Sequence, residues 1–182
     1  MPNWCMNVVT FRHEDPSEIS KLHDAAIDGK LFSAFFPCPA ELQETTSPNT
    51  DGDKSAELIE KYGFADWYSW QVSNWGTKWD TGSSEEYIEL SEGGKSITVT
   101  FDTAWTPPIE FFEKMEGELG WKITAYYHEP GMAFVGKWDE SFDVSYTYSD
   151  HSSEDVRDVI GEELDDMFCI SENMAEMEEN DE

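Results

Sequence analysis

The chain has 182 residues, 38% apolar and 14% aromatic, enough to form a hydrophobic core without covalent staples. Its 40 acidic residues against 11 basic ones give a net charge of −29, which argues against direct binding of nucleic-acid phosphates. The three cysteines, Cys5, Cys38 and Cys169, are odd in number and scattered, so neither a disulfide framework nor a zinc knuckle is expected.

The N-terminus carries no basic and apolar leader, and no apolar run approaches the ~20 residues of a membrane span. A reducing cytoplasm is the expected compartment. The charge exceeds the magnitude of ~2–8 that keeps a small domain soluble. Between Asp150 and Glu182 there are 14 acids and one base, and the preceding residues carry 26 acids and 10 bases. Acidity is therefore a property of both body and tail, and the expected partner is a basic protein surface.

Trp4 to Arg12 is rich in aromatic and β-branched residues and reads as a strand. Asp15-Pro16-Ser17-Glu18 opens a helix whose apolar face is Ile19, Leu22, Ala26 and Ile27, with Gly29 at its end. Residues 30–84 read as an insertion. Its apolar start (Leu31, Phe32, Phe35, Phe36) docks, its polar run from Glu44 to Asp53 is a mobile loop, and Ser55 to Tyr62 is a helix candidate. The insertion ends in an aromatic run that includes Trp67, Tyr68, Trp70, Trp75 and Trp79.

Regular alternation returns at Glu86–Leu90 and Ser96–Asp102, a hairpin closed by Gly93-Gly94. Thr106-Pro107-Pro108 starts a second helix with Phe112, Met115 and Leu119 on one face, stopped by Gly120. Trp121–His128 is the next strand, and Gly131–Trp138 with Phe142–Tyr148 forms a second hairpin. Ser152 caps a final helix near 153–169 with an apolar stripe of Val156, Val159, Ile160, Leu164, Met167 and Phe168. Beyond Ile170 the chain is expected to fray or be disordered.

The predicted architecture is α+β: a ferredoxin-like split β-α-β sandwich with the insertion at 30–84, an added C-terminal hairpin and an acidic C-terminal helix. Residues 1–149 form the domain; 150–182 are helix and tail.

Several spaced motifs support this reading. Met1-Pro2-Asn3-Trp4-Cys5-Met6-Asn7, Pro37-Cys38-Pro39-Ala40-Glu41-Leu42, Asn74-Trp75-Gly76-Thr77-Lys78-Trp79-Asp80, Thr103-Ala104-Trp105-Thr106-Pro107-Pro108 and Tyr127-His128-Glu129-Pro130-Gly131 together resemble the YubB-type ferredoxin-like domain family of phages and plasmids. The likeness spans roughly residues 1–138. It implies a ferredoxin-like fold and a mobile-element origin, with no established activity and no catalytic residues to transfer.

The indole-rich segment admits two readings. Trp75, Lys78, Trp79, Asp80, Trp105 and His128 could wall a ligand cleft, with Lys78 and Asp80 orienting the ligand. Alternatively Trp4, Trp75, Trp79 and Trp105 are core anchors, with Trp75 and Trp79 buried, Gly76 permitting a turn, and Asn74 and Asp80 binding backbone amides. His128 and Glu129 point to opposite faces of a strand and suit neither one metal nor one proton. His13, His23 and His151 have no partners at ligand spacing, and Asp51-Gly52-Asp53 reads as a solvated turn. Cys5 and Cys38 read as buried and inert. No metal, cofactor or catalytic constellation is expected.

The expected function is a non-catalytic binding protein. Its acidic surface is expected to imitate the phosphate array of nucleic acid and so inhibit a host or defence nucleic-acid-binding protein. The interaction face would be Glu154, Asp158, Glu162 and Asp165, facing away from the pinning residues Val156, Ile160 and Leu164. A merely solvated acidic surface is the plain alternative. A small-molecule or nucleotide sensor, or an enzyme, using the tryptophan cleft is the functional rival.

Overall fold

The computed structural model describes residues 2–82 and 87–180. Glu86 of the expected first hairpin, Ser83 and Ser84 at the end of the expected insertion, and the last two residues of the tail lie outside the described residues.

β1 (Trp4–Arg12) alternates as its composition demands, with Cys5, Asn7, Val9 and Phe11 buried on one face. α1 (Pro16–Ile27) begins where the Asp15 side chain accepts the Ser17 amide, and it buries Ile19, Leu22, Ala25 and Ala26. Four helices follow: α2 (Leu31–Phe35), α3 (Ala40–Gln43), α4 (Gly52–Tyr62) and α5 (Trp67–Trp75). The polar run before α4 is tied down rather than free. Asn49 Nδ2 donates to the Ala65 carbonyl at 2.9 Å, and Thr45 Oγ1 accepts the Trp67 amide at 3.2 Å. Asp51 accepts the Lys54 amide, so the expected Asp51-Gly52-Asp53 turn is the cap and first turn of α4, three residues ahead of the expected start.

The remaining strands are β2 (Ile88–Leu90), β3 (Ser96–Ala104), β4 (Lys122–Glu129), β5 (Phe134–Asp139) and β6 (Phe142–Thr147), with α6 (Ile109–Leu119) between β3 and β4. They form one antiparallel sheet in the order β2-β3-β1-β4-β5-β6. α6 buries Phe111, Phe112 and Met115, while Leu119, expected on the apolar face, is exposed in the last turn.

One sheet face packs on α1, α2 and α6 through Val9, Phe11, Ile97, Val99, Ile123, Ala125 and Trp138. The other face is covered over β4 and β5 by three short helices, α7 (Val156–Ile160), α8 (Glu162–Phe168) and α9 (Ile170–Asn180). Val156, Ile160, Leu164, Phe168 and Ile170 pack there on Val135, with half-buried Val8 and Tyr126. The single helix expected near 153–169 is therefore split once, at Gly161, and α8 stops before Cys169, at the expected end. Gly161 at φ 85° and Cys169 at φ 52° sit where a right-handed helix cannot continue. The tail expected to fray instead forms α9, held by buried Ile170, half-buried Met174 and a bond from Ser153 Oγ to Glu178 at 2.6 Å.

Leu164 is buried between the short helices and the sheet, so Leu164→Ala should destabilise the fold by roughly 2–5 kcal/mol, or about 4–20 °C in melting temperature. Thermal unfolding followed by circular dichroism checks this, and an unchanged midpoint would mean the C-terminal helices do not dock.

Candidate functional site

The aromatic segment is built around the end of α5. Asp66 caps the helix by accepting the Ser69 amide at 2.9 Å, and Gly76 ends it in the left-handed region at φ 82°. The left-handed φ demands glycine at this position, and a side chain there would also displace the Glu110 carboxylate and fit tightly against the Ile109 amide and Pro107 carbonyl. Trp75 is fully inside, its Nε1–H donating to the Phe36 carbonyl at 2.8 Å and its ring against Phe32 and Trp70. Asn74 does not bind a backbone amide as expected. Its Nδ2 donates to the Trp70 carbonyl, and its Oδ1 accepts from Lys114.

Beyond Gly76 the chain reverses onto the sheet edge. Thr106 Oγ1 donates to the Gly76 carbonyl at 2.7 Å. Asp80 reaches across to α2 and accepts the amides of Phe32 (2.8 Å), Ser33 (2.9 Å) and its neighbour Thr81 (2.9 Å). No side chain adjacent to α2 caps it, so Asp80 serves as its cap from a distance of 48 residues in sequence. Asp80 thus binds backbone amides as expected, and these bonds occupy its carboxylate.

Lys78 is committed too: its ammonium lies 3.7 Å from the Trp79 ring centroid and 3.9 Å from that of Trp105. The slot between these indoles is filled by the protein's own cation. Trp79 is 43% exposed and Trp105 42%, so the expectation of a buried Trp79 is corrected. The helix ends between Trp75 and Trp79, and four residues no longer bring them to one face.

The outer side of Trp79 and exposed Trp4, 6.1 Å apart between ring centroids, wall an open cleft of about 610 Å³ on the half of the second sheet face that the C-terminal helices leave uncovered. Met6, Tyr87, Thr100 and Asp102 line it together with Asp80 and its neighbours Thr81 and Gly82, so of the expected cleft residues Trp79 and Asp80 stand at this cleft. Partial burial raises the Asp102 carboxyl above its ordinary range. Met6 and Asp102 are paired in register across β1 and β3, so strand alternation alone places Trp4, Met6, Thr100 and Asp102 on one face. The sequence reading missed Met6, Asp102 and Tyr87 as cleft residues, although that alternation was available.

His128 is not part of this cleft. It pairs in register with Met6, but its Nε2 lies 2.7 Å from the Tyr148 hydroxyl and its ring 5.2 Å from that of Phe168, within the core under α8. Burial lowers its pKa. Glu129 turns to the opposite face and accepts the Gly131 and Met132 amides at 2.7 Å each. Burial pushes the Cys38 thiol up to about 11 and the Cys5 thiol further still, so neither is a ready thiolate. Among the described residues no three His, Cys, Asp or Glu side chains are grouped to hold a metal ion.

The C-terminal acids are placed differently from the expected stripe. Glu154, Asp158 and Glu162 are exposed. Asp165 is buried, 2% exposed, and accepts from Arg157 at 3.1 Å, the Ser171 amide at 2.8 Å and Ser171 Oγ at 2.7 Å. The turn at Gly161 redirects the chain and swings Asp165 inward. Arg157 also pairs with Glu162 at 3.0 Å and Asp166 at 2.9 Å. Glu163, read earlier only as part of the count, accepts from Tyr126 and Lys137 and thereby ties α8 to the sheet.

The six-stranded antiparallel sheet and its helices define an α+β protein of the ferredoxin-like class. Residues 74–172 match the family model described as the ferredoxin-like domain in Api92-like protein, and the chain belongs to that family. A crystal structure of the protein Api92 from Yersinia pseudotuberculosis, 11% identical, aligns over 83% of this chain and 99% of its own with a TM-score of 0.39. No curated protein matches the sequence. Among the described residues no helix is long and apolar enough to cross a membrane.

Trp75→Ala should destabilise the fold by roughly 3–5 kcal/mol, whereas Trp79→Ala, which removes one cation–π and one ring contact at the surface, should do so by about 1–2 kcal/mol. Urea denaturation of the two variants distinguishes them; equal losses would mean that Trp79 is a core anchor. His128 gives a pH signature. Its folded pKa lies below the ordinary value near 6.5, so below that pH the unfolded chain takes up a proton that the folded state resists. Stability should therefore fall as pH drops from 7.5 to 5.5, and the fall should be shallower in His128→Gln, where the other histidines are unchanged.

Proposed function

We propose that the protein is a non-catalytic binding protein that engages a basic protein surface through its ordered carboxylates, imitating the phosphate array of a nucleic acid. The observation that carries this reading is the fixed seating of α7, α8 and α9 on the sheet. Exposed Glu154, Asp155, Asp158, Glu162, Glu163, Asp166, Glu172 and Glu176 are thereby held in place. Residues 150–182 contain a single base, Arg157, and it is consumed in ion pairs with Glu162, Asp165 and Asp166. Solvation requires only the number of charges; an ordered array is what recognition adds.

A phage or plasmid origin, implied by the motif resemblance, would make a host or defence nucleic-acid-binding protein in the bacterial cytoplasm the natural target. The strand order β2-β3-β1-β4, with helices between β1 and β2 and between β3 and β4, is read as the split β-α-β arrangement on which this surface is mounted. A second reading rests on the cleft. Trp4, Trp79 and Tyr87 with Asp102 suit a small cationic group better than an anionic nucleotide, because both the ring faces and the carboxylate favour positive charge.

The test is binding to a purified basic nucleic-acid-binding protein at about 50 and 300 mM salt, with duplex DNA as competitor. Affinity should fall at least about tenfold at the higher salt, because such attraction is screened over ~8 Å at physiological ionic strength. DNA should displace the protein, and neutralising Glu154, Asp158 and Glu162 together should weaken binding while Trp79→Ala should not. Binding equally strong at both salt concentrations and unaffected by DNA would remove this reading; loss of binding in Trp79→Ala alone would favour the cleft.

A further inference from the structure

The last strand of the sheet is an open edge. β6 pairs with β5 and, among the described residues, with nothing on its outer side. The β5–β6 hairpin turns through Glu140 and Ser141, both at positive φ (43° and 69°), and pairs Asp139 with Phe142. The Tyr148 amide, one residue past the strand, donates to the Ala133 carbonyl at 2.8 Å. Alternation from these two ends turns the backbone groups of Phe142, Val144 and Tyr146 toward β5, and those of Asp143, Ser145 and Thr147 outward.

Natural sheets blunt such edges with lysine, proline, a bulge or a covering element. β6 has no lysine and no proline, and its register with β5 runs unbroken from Phe142 to Thr147. Phe142 is 69% exposed and Tyr146 36%.

Both flanks of this edge are hollow. On one sheet face Phe142, Val144 and Tyr146 border a groove of about 350 Å³ against the α7–α8 corner, where Ile160, Glu162 and Glu163 stand. On the other face Asp143, Ser145 and Thr147 border a groove of about 670 Å³ against α5 and α6, which contribute Val72, Ile109 and Glu110. An added strand would therefore find apolar surface and carboxylates on both of its sides, the one base at the first groove, Lys137, being paired with Glu163 while Asp139 and Glu162 stand beside it.

We propose that β6 is a docking edge that adds one extended, basic segment of a partner protein as a seventh strand. Charge selects this occupant over a second copy of the chain. Two molecules of net charge −29 repel, so the acidity guards the bare edge against self-pairing and at the same time attracts a lysine- or arginine-rich strand. Main-chain hydrogen bonds to Asp143, Ser145 and Thr147 would supply affinity, and the acid-lined grooves would supply selection for alternating basic and apolar side chains. The edge lies apart from the tryptophan cleft and shares Glu162 and Glu163 with the α7–α8 corner.

The probe is a terminally blocked hexapeptide of alternating lysine and valine, added to the full-length protein and read by amide hydrogen exchange. The amides of Asp143, Ser145 and Thr147 should slow by at least about tenfold, while an alternating glutamate and valine peptide has no effect. Ser145→Pro removes an outward N–H and leaves the β5 ladder intact, so it should weaken peptide binding by about tenfold or more. Peptide protection confined to the tryptophan cleft or to α7–α9 would overturn the proposal, as would unchanged affinity in a folded Ser145→Pro. A peptide-independent dimer with protected β6 amides would assign the edge to a second copy and overturn it as well. Wild-type exchange with the two peptides decides the matter even if Ser145→Pro fails to fold.

Discussion

The carboxylate of Asp165 sits under the junction of three short helices and receives Arg157, the Ser171 amide and the Ser171 hydroxyl at once. The chain breaks helical geometry at Gly161 and again at Cys169, and each break leaves backbone groups that need partners. Asp165 satisfies one of those ends directly by accepting the first-turn amide of α9, and through Arg157 it reaches back to α7. A buried carboxylate in this position therefore organises the many exposed ones. Without it the mutual arrangement of the helices would rest on apolar contacts with Val135, Tyr148 and the sheet and on exposed polar ties such as Ser153 to Glu178 and Arg157 to Glu162 and Asp166.

The same seating decides which part of the sheet remains open. The sheet is wider than the three helices that cover its second face. They rest on β4 and β5, and Glu163 fastens them there through Tyr126 and Lys137. The half over β1, β3 and β2 is left to Trp4, Met6, Thr100 and Asp102, with Trp79 leaning over them. On the far side β6 is left with a bare edge. Acidic helices, aromatic cleft and open strand are thus three consequences of placing a small helical cover on a six-stranded sheet.

Much of this was legible in the sequence where the determinants are local. β1 has the expected bounds because alternation and β-branched residues specify it within nine residues, and α1 begins at Asp15-Pro16 because capping acts over one turn. The α+β class and the ferredoxin-like assignment follow from such local signals taken in order. What escaped was non-local. That Asp80 binds backbone amides was legible, but that two of them start a helix 48 residues earlier is displayed by no window of sequence. Helix α5 was hidden because aromatic residues on every side erase the 3.6-residue period. The C-terminal stripe of Val156, Ile160 and Leu164 fits one continuous helix, and Gly161 within it was the signal that the period would break. Once it breaks, Asp165 turns inward and the expected row of four outward carboxylates loses a member. Gly76 likewise separates Trp75 from Trp79, giving one a structural place and the other a surface one.

The C-terminal acids form an ordered array only if the Asp165 junction holds the three helices together. Amide hydrogen exchange across residues 156–180, in the wild-type protein and in Asp165→Ala, tests it most directly. Exchange should be slow through α8 and the start of α9 in the wild type, and this protection should be lost in the variant while the β1 and β4 amides remain protected. Fast exchange throughout residues 156–180 of the wild-type protein would contradict it, because the carboxylates would then be a mobile, merely solvating cloud.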